Sequence, residues 1–203
     1  MLEAYLESTD VIDWKTPDVR DLARTLASSS ADAIKVARSC FEWVRDEIGH
    51  SGDVEAEVVT CRASDVLKEG TGWCFAKSHL LAALLRANGI PAGLCYQRLR
   101  LDDGTGYTLH GLNAARLPGF GWYRIDARGN KPGVNAQFAP PVEQLAWTVT
   151  EPGEADLPEI WAEPLPLVVD YLTQNNSLAS AKRNLPNIEL IVERQNLSTP
   201  PAE

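Results

Sequence analysis

Three residues of this chain, Cys74, His110 and Asp126, are of the types that nucleophilic acyl transfer requires. A thiol attacks, an imidazole takes its proton, and a carboxylate fixes the imidazole tautomer. Cys74 is the best placed of the four cysteines. It follows Gly70-Thr71-Gly72-Trp73 and opens an apolar run closed by Asn88-Gly89-Ile90-Pro91. Within that run Leu80, Ala83, Leu84 and Ala87 recur at helical spacing, and Phe75, Leu81 and Leu85 widen the stripe. The spacing predicts a buried helix that begins at Cys74 and stops at Asn-Gly. At a helix N-terminus, unpaired backbone N–H groups and the helix dipole favour a thiolate. The competing reading is a small buried apolar residue, the usual state of a free cysteine.

The chain has three histidines. His79 lies five residues past Cys74, about 140° around the helix, so it points elsewhere. His50 sits in a loop and is usable in principle. His110 is the better base, because its strand can pair with the one carrying Asp126. Register decides whether the two meet. If the Pro118-Gly119-Phe120-Gly121 turn is centred on Gly119, paired residue numbers sum to 238. His110 then faces Arg128, with Asp126 as its diagonal same-face neighbour. A loop centred between two residues would put them on opposite faces. Taken singly, a core histidine and a strand-end acid are both common.

The elements that must position these residues can be read in order. Thr16-Pro17-Asp18 starts a helix over about 17–27. Ser29 to Asp32 starts a second, with Ile34, Ala37, Phe41, Val44 and Ile48 on its stripe and Trp43 packing on its flank. Residues 50–60 read as a loop, and Ser64 caps a short turn ending at Gly70. Beyond Pro91 the period changes to alternation, and Asp102-Asp103-Gly104-Thr105-Gly106 marks a hairpin. Its second arm is Tyr107 to Leu117, and a third strand runs from Trp122 to Ala127. Helices followed by antiparallel strands give an α+β class. Further on, Pro140-Pro141 should begin a short helix through Val142, Leu145 and Ala146. Leu167, Val168, Tyr171 and Leu172 suggest another helix, which should dock on the core, and 196–203 reads as a loose terminus.

The combination of Gly72-Trp73-Cys74, an apolar helix closed by Asn88-Gly89-Ile90-Pro91-Ala92, a strand histidine and Trp122-Tyr123-Arg124-Ile125-Asp126 resembles the transglutaminase-like superfamily. The helix Phe41 to Ile48 resembles its lead-in, so the likeness covers roughly residues 30–130. It implies a papain-like cysteine proteinase or transglutaminase-core fold, amide chemistry, and a triad carried onto Cys74, His110 and Asp126. It also implies a second oxyanion donor upstream of the cysteine, for which His50 and then Trp43 are candidates. Asp126-Ala127-Arg128-Gly129-Asn130 is shared with some bacterial members, without a role that transfers. Trp43, Trp73 or Trp122 walling a narrow cleft would suit a side-chain amide, and an open groove would suit a peptide backbone.

Length and composition bound the rest. At 203 residues and 44% apolar, one domain over 1–203 is expected, with its core near 30–130 and an extension over 131–203. A net charge of −9 without a basic cluster speaks against nucleic acid or an anionic membrane as partner. Leu2 to Asp13 lacks the apolar core of a signal peptide, and the expectation is a cytoplasmic bacterial protein with reduced thiols. No cofactor or metal is expected, and Asp102-Asp103-Gly104 is not a calcium loop. The reading is a cysteine hydrolase or acyltransferase acting on a peptide or protein amide through a thioester, with hydrolysis preferred. The alternatives are a non-catalytic interaction module and an arylamine-acetyltransferase-like enzyme; oligomeric state stays open.

Overall fold

The computed structural model describes residues 2–190. Helices α1 (Pro17–Ala27), α2 (Ala33–Glu47), α3 (Ala63–Glu69) and α4 (Cys74–Ala87) precede the main sheet. A short parallel pair, β1 (Gly49–His50) with β2 (Thr71–Gly72), lies among them. An antiparallel meander follows, of β3 (Ala92–Arg100), β4 (Tyr107–Leu117) and β5 (Gly121–Ile125). Next come the hairpin β6 (Gln137–Ala139) and β7 (Val142–Gln144), then β8 (Ala155–Asp156), which joins the sheet in the order β5-β4-β3-β8. Helices α5 (Pro166–Gln174) and α6 (Leu178–Arg183) end the described chain.

The predicted α4 is central, and every residue from Cys74 to Arg86 is buried. A helix apolar on nearly all sides can only sit inside a core. One cluster of buried apolar side chains runs from Ile12 to Ala181 around it. Most polar side chains of α4 find partners inside the protein, although His79 Nε2 has none among the described residues. Arg86 donates to the carbonyls of Ala92 (2.9 and 3.0 Å), Glu7 (2.9 Å) and Ala162 (2.5 Å), tying the segments before α1 and before α5 to α4.

The sheet has two differently covered faces. Successive β4 residues alternate between them. Gly111 and Asn113 meet α4: an alanine-like Cβ on Gly111 would lie 2.6 Å from Phe75 Cδ1, and Asn113 Nδ2 donates to Ser78 O at 2.9 Å. Leu112 and Ala114 instead join Cys95 on the opposite face, beneath Trp122, Leu145 and Ile160. The C-terminal extension therefore covers the face that carries His110.

Several local expectations are corrected. Helix α3 begins at Ala63 rather than after Ser64. Its first turn is held from a distance by Asp13, which accepts Ser64 N (2.9 Å) and Ser64 Oγ (2.5 Å). His50 belongs to a strand pair and not to an irregular loop. The chain after Pro140-Pro141 is a strand and not the expected helix. That bond is cis and turns β6 into β7, leaving Val142 exposed while its carbonyl accepts Tyr123 OH at 2.7 Å. The helical spacing of Val142, Leu145 and Ala146 is overridden by pairing. In α5, Val168, Tyr171 and Leu172 are buried, but Leu167 faces solvent. The terminus expected over 196–203 lies outside the described residues. Among the described residues no helix is long and apolar enough to cross a membrane.

Candidate functional site

Cys74 is the first residue of α4, as its flanking glycines predict. Gly70, at φ 67°, closes α3 in a left-handed turn. Gly72 then passes where a Cβ would lie 3.1 Å from Ala76 Cβ and 3.2 Å from Thr60 Oγ1. Trp73 is extended at the N-cap. As the first helical residue, Cys74 has a backbone N–H with no acceptor inside the helix. Its Sγ accepts the N–H of Gly111 at 3.4 Å, which places it beside His110, the preceding residue of β4 and a co-lining residue of the same cleft.

The meeting of His110 and Asp126 follows from register. Asn113 pairs with Ile125 and Ala115 with Tyr123, so the hairpin has the sum of 238 set by a turn centred on Gly119. Beyond Ile125 the strands part, yet the diagonal relation persists, and His110 Nε2 lies 2.8 Å from Asp126 Oδ2. That leaves Nδ1 as the ring nitrogen for Cys74. Asp126 is fully buried and also accepts Ala146 N at Oδ2 (3.0 Å) and Arg128 N at Oδ1 (3.1 Å).

Electrostatics separate the three histidines. Burial alone would lower the pKa of His110, but the charges of Asp126 and Cys74 and their hydrogen bonds outweigh it and raise it to about 10. Burial pushes Asp126 upward, and His110 with the two backbone N–H donors brings it below the ordinary carboxylate value. His50 is held at about 3 by burial and by the Arg128 charge, and His79, fully buried with Nδ1 2.8 Å from Cys61 O, at about 4. His110 is thus the charged imidazole and the other two are neutral.

The expected flanking residues divide. His50 and Trp73 line a cleft of about 450 Å³ together with Cys74 and His110, and their rings meet edge-on at 5.5 Å. His50 Nδ1 and Trp73 Nε1 are buried without a hydrogen-bond partner. Trp43 is not in the cleft; it packs half-buried on the core from the flank of α2. Trp122 is also excluded, since it meets Tyr5 edge-on at 4.8 Å over the outer face of the sheet. The second indole wall is Trp147.

Sequence reading missed three supports. Gly111 lets the start of α4 reach β4, and its signal was a glycine in a strand interior, which marks close approach of another backbone. Asp53 receives the buried Arg128 guanidinium through both nitrogens, with Nη2 at 3.0 Å, and Lys131 Nζ at 2.8 Å. This clamps the loop after His50 to the loop after Asp126. Lys77 is wholly buried one turn past Cys74, with its pKa lowered to about 7 chiefly by burial. It donates to the carbonyls of Arg45 (3.3 Å) and Ile48 at the end of α2.

Comparison with known proteins agrees with this architecture. Residues 20–127 match the family model described as the transglutaminase-like superfamily. A "putative cysteine protease" from Cytophaga hutchinsonii superposes with a TM-score of 0.52 at 21% identity, over 63% of this chain and 42% of that one. The periplasmic domain of TgpA from Pseudomonas aeruginosa gives a TM-score of 0.46 at 21% identity, over 61% of this chain and 45% of that one. The chain thus spans less than half the length of either neighbour. No curated protein matches it in sequence.

Proposed function

We propose that this chain, which belongs to the transglutaminase-like superfamily, cleaves or transfers the acyl group of an amide through a thioester on Cys74. The observation that carries the reading is the His110 ring, hydrogen-bonded through Nε2 to the buried Asp126 carboxylate and lining the same cleft as Cys74, whose Sγ accepts the N–H of the next residue, Gly111. In the proposed cycle the Cys74 sulfur adds to the amide carbonyl carbon, and the His110 imidazolium gives its proton to the departing amine nitrogen. His110, now neutral, takes a proton from water or from an acceptor amine as that nucleophile attacks the thioester and frees Sγ. Asp126 fixes the tautomer and steadies the imidazolium. The oxyanion is held by the Cys74 backbone N–H, and His50 is the candidate second donor from the facing wall, with Trp73 Nε1 next to it.

Supporting the reading is the state of the other three thiols. Burial raises Cys40 to about 12, Cys61 to about 11 and Cys95 to about 12, so none of those three is primed to react at neutral pH. The test is pre-steady-state release of p-nitrophenol from p-nitrophenyl acetate, with intact-mass detection of the acyl group on Cys74. A burst of one equivalent, lost in Cys74→Ala, is expected. Absence of any acyl adduct with small esters and peptide amides alike would favour the interaction-module reading.

A further inference from the structure

Six of the eighteen residues lining the cleft, Lys131, Trp147, Thr148, Thr150, Glu154 and Leu185, belong to the extension, beyond residue 127 where the family match ends, so a third of its wall is particular to the extension. The extension is anchored there by specific bonds. Gln97 Nε2 donates to Asp156 Oδ1 at 2.9 Å and to Trp147 O at 3.4 Å, and β8 pairs with β3. On β4, residues 109 and 111 direct their N–H groups out of the same free edge, beyond the end of β5. Gly111 N–H goes to Cys74 Sγ, and Leu109 N–H goes to Pro186 O at 2.7 Å. The strap through Leu185 and Pro186 therefore lies on the same strand edge as the thiol, two residues away.

The wall so formed is largely apolar, and its charged members are engaged by neighbours. Trp73, Leu99, Leu101, Leu109, Trp147 and Leu185 supply the apolar surface. Arg128 and Lys131 are both engaged by Asp53. The Glu154 carboxylate is taken up by the N–H groups of Arg100, Thr150 and Glu151, and the Arg100 guanidinium lies 3.8 Å from Glu151. Asp102 is exposed on the hairpin turn at the rim. A charged side chain entering the cleft would lose water and meet Arg128, Lys131 and Arg100 each already beside a carboxylate, whereas an apolar one would gain contact.

We infer that the C-terminal extension is the specificity wall of the cleft, and that it selects amides whose acyl-side residue is uncharged and apolar, of leucine or phenylalanine type. This rests on the proposed acyl chemistry at Cys74, but its test reads recognition without turnover. The full chain is treated with N-acetyl aminoacyl chloromethyl ketones of Leu, Phe, Glu and Lys, which alkylate the thiol with loss of chloride. Each second-order rate at Cys74 is divided by that for iodoacetamide, so that changes in the thiol itself cancel. The expected result is a preference of about tenfold or more for Leu and Phe over Glu and Lys. It should be retained in Leu185→Met and lost in Leu185→Glu. Equal normalised rates for the four reagents, or an unchanged preference in Leu185→Glu, would overturn the inference while leaving acyl transfer standing. Apolar preference without an acyl adduct from any ester or amide would uphold the wall and refute the enzyme. A Cys74 inert to all of the reagents would overturn both.

Discussion

Replacing Gly111 with alanine perturbs the contact that brings the start of α4 to β4. The new Cβ would sit 2.6 Å from Phe75 Cδ1, 3.1 Å from Phe75 Cα and 3.2 Å from Phe75 N, against the 3.4 Å at which ordinary contact begins. The deficit is 0.8 Å at the ring (3.4 less 2.6) and 0.3 Å at the backbone (3.4 less 3.1). A ring can swing, but the backbone deficit can only be met by moving the first turn of α4, and Cys74 moves with it. Overpacking of this kind costs about 1–3 kcal/mol of stability. A displacement of a few tenths of an ångström between thiol and imidazole should lower acyl turnover by about 3-fold to 10-fold, since misplacement by about 1 Å costs roughly 10²-fold. Gly106→Ala is the control, because a Cβ there meets nothing within 4 Å. The assay pairs a thermal melt with kcat/KM on the best acyl ester. Wild-type turnover and an unchanged Tm in Gly111→Ala would refute the reasoning, because the close approach would then not position the thiol.

Asp126→Asn should lower turnover by about 10⁴-fold through the wrong imidazole tautomer. It should also lower Tm, because one amide oxygen cannot serve the three donors Asp126 now accepts, and each orphaned donor costs about 1–3 kcal/mol; turnover near wild type would reject the role. Truncation after Gly153 removes the buried Val168, Tyr171 and Leu172, worth about 5–9 kcal/mol at roughly 1.5–3 each. That rivals a typical total of about 5–15 kcal/mol, so the truncated chain should show no cooperative melt at 37 °C, and an unchanged Tm would mean the tail does not support the core. Stability should also depend on pH through the buried pair. The folded pKa of His110 is raised, so its contribution is complete below its ordinary 6.5 and fades as pH rises through about 10. Asp126 is lowered, so its contribution is complete above its ordinary 3.8 and fades as pH falls through its lowered native value. Thermal melts from pH 4 to 10.5 should show the alkaline decline in wild type and a flatter alkaline limb in His110→Gln; identical limbs would show that the pair does not titrate with folding.

The parts of the site that were readable from sequence are those governed by local periodicity. The start of α4 at Cys74 follows from glycines and an apolar stripe, and the His110–Asp126 contact follows from the parity of one hairpin, which the Asn113–Ile125 pairing matches. The parts that were not readable depend on residues far apart in the chain. Asp53 and Arg128 are 75 residues apart, and nothing local marks either as a buried partner. Lys77 sits in an apolar helix where a lysine ordinarily snorkels to water, and only the carbonyl-terminated end of α2 above it explains its burial. Pro140-Pro141 carried the composition of a helix start, but Val142 to Gln144 pairs with β6 and leans on Tyr123 and Arg124. The cleft wall over 147–185 is built from segments too short and irregular for either period to appear.

The central claim is that His110 and Cys74 act as a charge pair, and selective alkylation tests it most directly. The chain is exposed to limiting iodoacetamide at pH 6, and the labelled cysteines are mapped by peptide mass spectrometry. With Cys40, Cys61 and Cys95 raised to about 12, 11 and 12 by burial, Cys74 should be marked first, and His110→Ala should slow its labelling at least tenfold while leaving the other three unchanged. Labelling of Cys61 as fast as Cys74, or a Cys74 rate indifferent to His110, would contradict the pair and with it the catalytic account.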